Sequence, residues 1–168
     1  MDGEVLSPSQ TPGPMYGFAL MFEGCDRSVE EGAPGAVVVE GRLLDGDGEP
    51  VAYPDALIEV WRDEQWTRSR TDEDGRYRVV LAKPDATELA GVGTEAPYLN
   101  VDVFARGLLR AATTRLYFPD EDQANAADPV LQLVPPERRH TLVARSDGDT
   151  LRFDIRLQGD DETVFFES

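Results

Sequence analysis

Apolar and polar positions alternate with a period of two in several short stretches of the chain. In "YLNVDVF", residues 98–104, Leu99, Val101 and Val103 form one row, and Tyr98, Asn100, Asp102 and Phe104 form the other. Strand geometry turns such rows to opposite faces. The clearest case is "LRFDIRLQ", residues 151–158, where Leu151, Phe153, Ile155 and Leu157 predict one half-buried strand. "AVVVEGRLL", "ALIEVWRD", "TDEDGRYRVVLAKP" and "TTRLYF" add further strand candidates. Asp-Gly pairs in "DGDGEPV" and at Asp74-Gly75 tolerate positive φ and predict turns. The residues between "ALIEVWRD" and "TDEDG" read as a polar connection, and "DEDQANAADPVLQLVPPERRH" as a loop with a short helical turn. About seven strands and no long helix predict an all-β fold, an antiparallel β-sandwich with few short helices. Residues 1–35, irregular and rich in Pro and Gly, read as an extended N-terminal arm that packs on its own domain or on another subunit; residues 36–168 are the sandwich domain.

Composition narrows the partners. A chain of 168 residues suits one domain that buries about two-thirds of its unfolded surface. Its formal net charge of −17 repels nucleic acid and anionic membrane surfaces at long range, so neither is an expected partner. The longest apolar run, "MYGFALMF", is too short to cross a bilayer. The N-terminus has neither a basic segment nor an apolar core of a signal peptide. A single cysteine, Cys25, excludes an internal disulfide and fits a reducing compartment. A cytoplasmic location is therefore the expectation.

Candidate chemistry is sparse. With one histidine, His140, the chain cannot build a site that needs two histidine ligands, and His140 itself reads as a surface or hinge residue. "DGDGEPV" begins like a calcium loop but lacks the later acidic ligand, so it reads as a hairpin turn. A Ser-His-Asp hydrolase has the residue types but no nucleophile motif around any serine. Two stretches stand out. "SQTPGPMYG", residues 9–17, offers a stiff Pro-Gly-Pro edge able to approach a planar ligand. In "TTRLYFPDE", Arg115 sits among apolar neighbours and needs an anionic partner, an acid of its own chain being the plainest one.

"SQTPGPMYGFAL", "LIEVWRD", "NVDVFARG", "TRLYFPDEDQANAADPVLQLV", "RRHTLVAR" and "RFDIRLQGDDETVFF", in this order, resemble the intradiol ring-cleaving dioxygenases over most of the chain. The resemblance implies a hetero-oligomer of two kinds of chain sharing a β-sandwich of the intradiol dioxygenase type. In the family the beta subunit holds a non-haem Fe(III) through two tyrosines and two histidines. A His-x-His pair of that chain aligns with residues 98–100. Tyr98 and Asn100 stand there in this sequence, so the resemblance implies degenerate ligand positions and no metal or other cofactor on this chain. The implied reaction is oxygen-dependent cleavage of protocatechuate to 3-carboxy-cis,cis-muconate, with no catalytic residue on this chain. Carried over as substrate-binding residues are Thr11, Gly13 and Pro14 of the arm and Arg115 of the "TRLYF" strand. The family has an aromatic directly after Gly-Pro, where this chain has Met15, with Tyr16 one place later. The alternative reading is a stand-alone binding module. "GRLLDGDGEPVAYPDALIEVW" and "TDEDGRYRV" also resemble transthyretin-like and carboxypeptidase regulatory-like β-sandwiches, a likeness that ends near residue 84.

Overall fold

The computed structural model describes residues 19–167, and its strands follow the alternation in the sequence. Strand β1 (Ala36–Leu44) is the spine of the first sheet. It pairs antiparallel with β4 (Arg76–Ala82) on one edge. Its other edge runs parallel to β10 (Thr150–Arg152) and then to β11 (Ile155–Arg156). Strand β9 (Arg145–Asp147) extends this sheet through β10. The second sheet is antiparallel throughout. Its order is β3 (Gln65–Arg70), β2 (Ala56–Arg62), β7 (Tyr98–Ala105) and β8 (Ala112–Tyr117). A short hairpin, β5 (Thr87–Leu89) with β6 (Gly93–Glu95), precedes β7.

The main core is made where the inward rows of both sheets meet. Val39 and Leu43 of β1 and Val79 and Leu81 of β4 cluster with Ile58, Val60, Leu99, Val101, Val103 and Leu116 of the second sheet. Each such aliphatic side chain, taken fully out of water, contributes roughly 1.5–3 kcal/mol. The other face of the second sheet is also covered near Tyr98. Helix α1 (Asp122–Ala127) and two 3-10 turns, Leu131–Leu133 and Pro136–Leu142, fold across it. There Leu131, Val134 and Leu142 pack with Ala96, Tyr98 and Tyr117. The short helices arise where alternation fails, as the sequence indicates.

The turns use the expected chemistry. The Asp45 carboxylate accepts hydrogen bonds from the Asp47 and Glu49 amides, and the Asp72 carboxylate accepts from those of Asp74 and Arg76. Gly75 adopts φ 72°, and a Cβ there would lie 2.7 Å from the Leu43 carbonyl, so no other residue fits without strain. Upstream, Val80 donates to the Asp26 carbonyl and Ser28 donates to Val80, which ties residues 26–28 to β4.

Three expectations need correction. Residues 151–158 are not one strand: the ladder breaks at Phe153 and Asp154, between β10 and β11. The Phe153 carbonyl accepts the buried Tyr77 hydroxyl at 2.6 Å and passes so close to Gly41 that a Cβ there would lie 1.8 Å away. The Asp154 carboxylate instead accepts the Arg42 amide. The same segment pairs parallel to β1, so the first sheet is mixed. Finally, the polar connection after "ALIEVWRD" contains β3. Its inward row is Thr67 and Ser69, both buried, and the Thr67 hydroxyl satisfies the Val60 carbonyl at 2.9 Å. Hydroxyls in place of aliphatic groups hid this strand from hydrophobic periodicity.

Candidate functional site

Along β7 the row opposite the core is set by pairing. Tyr98 stands opposite Tyr117, Asn100 between Trp61 and Arg115, and Asp102 between Glu59 and Thr113. The Asp102 carboxylate accepts from the Trp61 indole and from the Thr113 hydroxyl, each at 2.7 Å. This clamps β2 and β8 to β7 on the polar face.

At the start of β7 the Tyr98 ring lies between two guanidinium groups. Arg62 stands 3.9 Å from the ring centroid and Arg115 stands 3.8 Å from it. Glu95, at the end of β6, ties the pair together: Arg115 Nη1 donates to its Oε1 at 2.8 Å, and Arg62 Nη2 lies 3.8 Å from its Oε2. Arg62 also donates to the Thr87 hydroxyl at 2.8 Å. The Phe166 ring lies 5.9 Å from the Arg115 guanidinium, beyond the edge of β8, where the Phe166 amide donates to the Thr113 carbonyl. The side chains of Arg62, Glu95 and Arg115 are 8%, 5% and 18% exposed, so their charges interact where water screens little.

A second acid anchors the floor. Asp128 is fully buried and accepts from the amides of Ala96, Val130 and Leu131 and from the Tyr117 hydroxyl. Burial pushes the Tyr98 phenol up, outweighing the opposite pull of Arg115 and Arg62. Burial likewise pushes Tyr117 well above the ordinary phenol range, against the hydrogen bond from Arg115. Arg115 itself is disfavoured as a cation by burial, yet hydrogen bonds with Tyr117 and Glu95 raise its pKa. Both phenols of the cluster are therefore un-ionised at neutral pH.

This chemistry does not fit a ferric ion. Like charges about 4 Å apart repel by about 4 kcal/mol per unit pair at an effective dielectric near 20. A trivalent cation beside Tyr98 would meet both guanidinium groups at close to that distance. Among the described residues no group of three or more His, Cys, Asp or Glu side chains is placed to hold a metal.

The sequence-derived candidates divide. Arg115 finds its acid within its own chain, and that acid is Glu95. Tyr98 and Asn100 lie on one face of β7, beside it. Thr11, Gly13 and Pro14 lie outside the described residues. His140 sits in the Pro136–Leu142 turn, half-exposed and 3.5 Å from Asp161. Sequence reasoning missed Arg62, Glu95 and Asp128. Arg62 ends an apolar strand, a pattern the chain repeats elsewhere, whereas Glu95 ends a short polar strand and Asp128 follows a short helix, where no local signal marks them.

No protein-family model matches the chain. The chain is 39% identical to the protocatechuate 3,4-dioxygenase alpha chain of Burkholderia cepacia and 37% identical to that of Pseudomonas putida, each over 96% of both sequences. It is also 30% identical to the Burkholderia cepacia beta chain, over 76% of this chain and 66% of that one. Among solved structures, the dioxygenase domain of a dioxygenase–carbohydrate-binding fusion from Streptomyces sp. SirexAA-E superposes with a TM-score of 0.57. That match has 23% identity and covers 95% of this chain and 96% of that one.

Proposed function

The chain belongs to the protocatechuate 3,4-dioxygenase family on its alpha-chain side, and from that premise we propose that it works as the non-catalytic alpha subunit of such an enzyme. Its partner is a beta subunit carrying non-haem Fe(III), and the complex cleaves protocatechuate between its hydroxyl-bearing carbons to give 3-carboxy-cis,cis-muconate. The iron supplies the oxygen chemistry. This chain supplies a pocket wall and an assembly surface. The observation that supports this division of labour is the Arg62–Tyr98–Arg115 stack, in which two guanidinium groups flank a residue that the family resemblance marks as a degenerate ligand position. The stand-alone module reading accounts for residues only to about 84, whereas the relationship to the alpha chains runs over 96% of the chain.

Within the complex, residues 1–35 act as the arm, rooted on β4 of its own chain through residues 26–28 and reaching the partner with its N-terminal part, where Thr11, Gly13 and Pro14 present a side-chain-poor edge to the catechol ring. Arg115 contributes positive potential toward the substrate carboxylate, which matters in a chain of net charge −17. No helix among the described residues is long and apolar enough to cross a membrane, and the cytoplasm is the compartment we assign. The test is expression of this chain alone and together with a candidate beta chain, followed by iron analysis and oxygen uptake on protocatechuate. The expected outcome is iron and activity only in the pair. Stoichiometric iron and cleavage by the chain alone would overturn the reading.

A further inference from the structure

One departure from the acidic character of the chain is residues 136–156. They carry five arginines, His140 and four acids, a formal net charge of +1 with His140 neutral, against −18 for the remainder. The fold gathers much of this charge around one cavity of about 240 Å³, between the Pro136–Leu142 turn and the β10–β11 segment. Arg145, Arg152, Arg156 and His140 line it, together with two acids, Asp154 and Asp161.

The acids are already engaged. Asp154 accepts from Arg152 Nε at 2.8 Å and from the Arg42 amide at 2.9 Å, and Asp161 stands 3.5 Å from His140. Arg145 and Arg156 line the same cavity without an acidic partner among the described residues. Counted with His140 neutral, the lining carries three guanidinium groups against two carboxylates, a local positive surplus in a chain of net charge −17. A guanidinium fork matches a carboxylate with two parallel hydrogen bonds. The cavity also has an apolar side, from Val143 and Phe153. Its volume is that of about eight water molecules at about 30 Å³ each, more than one bare tetrahedral anion fills.

We infer that this cavity binds a small carbon-chain anion with two carboxylates, one on Arg145 and one on Arg156, its carbon chain against Val143 and Phe153. The site is separate from the Tyr98 cluster, none of whose residues line it, and it does not depend on the alpha-subunit reading.

The test is calorimetric titration of the full chain, as purified, with glutarate, acetate and inorganic phosphate in turn. Saturable glutarate binding at about 1 mM or tighter is expected, at least about tenfold tighter than acetate or phosphate. Arg145→Ala/Arg156→Ala should weaken it at least about tenfold, and Arg145→Lys/Arg156→Lys, which keeps the charge but loses the fork, should weaken it by an intermediate amount. Arg145 is exposed, so Arg145→Ala alone carries the same test at smaller amplitude without threatening the fold. Absence of saturable binding up to about 10 mM overturns the site. Phosphate binding as tightly as glutarate overturns the two-carboxylate assignment, and an unchanged affinity in the alanine variants overturns the roles of both arginines.

Discussion

The two faces of β7 are built from the same eight residues and solve different problems. Inward, Leu99, Val101 and Val103 are fully buried among aliphatic neighbours from both sheets. Outward, Tyr98 and Asp102 are fixed by named partners: two guanidinium groups over the ring, and an indole and a hydroxyl on the carboxylate. The inner face tolerates exchange among groups of similar volume, because dispersion and water exclusion have no direction. The outer face does not, because a buried charge or donor left without its partner loses the interaction and keeps the desolvation cost. The outward face is thus the more specific of the two.

The sharpest way to break this contrast is Asp128→Ala. It removes the acceptor of three backbone amides and the Tyr117 hydroxyl, all in a buried setting. At about 1 kcal/mol or more for each stranded donor, the loss should be about 4 kcal/mol or greater in urea unfolding. Leu99→Ala on the inner face should cost about 2–5 kcal/mol, and Leu99→Met under about 1.5 kcal/mol. If Asp128→Ala proved as mild as Leu99→Met, the outer face would be mere packing.

Arg115→Ala tests the middle of the range. Glu95 keeps Arg62 at 3.8 Å, so the stability loss should be about 1–3 kcal/mol rather than that of an isolated buried charge. In the assembled enzyme it should raise KM for protocatechuate more than for unsubstituted catechol. Equal changes for both substrates would confine Arg115 to its structural bond with Glu95.

The smallest effect is a titration. Burial pushes the phenols of Tyr77, Tyr98 and Tyr117 above the ordinary value of about 10. A folded-state pKa raised in this way contributes stability that is whole below pH about 10 and declines as pH rises beyond it, where the unfolded chain ionises first. Phenolate absorbance should therefore show these three of the five tyrosines lagging behind the others and appearing with unfolding. A single wave from all five near pH 10 would refute their burial.

Much of the sandwich was legible in the chain, and the failures have specific causes. The inward rows of β1, β4 and β7 were readable because their aliphatic groups alternate. Strand β3 was not, since Thr67 and Ser69 fill its inward row and the hydroxyl of Thr67 satisfies a carbonyl of β2. The break at Phe153–Asp154 was also hidden, because it depends on Tyr77 and Gly41, more than seventy residues away. At the candidate site, Arg115 advertised its need for an acid, but nothing local singled out Glu95 among 33 acids.

By itself the sequence determined the strands with apolar alternation, the Asp-Gly turns, the acidic character and the lone histidine, because period, φ preference and composition are local or additive properties. Only the tertiary structure decided that Arg62 and Arg115 enclose Tyr98, that Glu95 joins them, and that Arg145 and Arg156 share a cavity. Those meetings depend on strand order and register, and charges interact strongly only once folding brings them within a few ångströms and away from water.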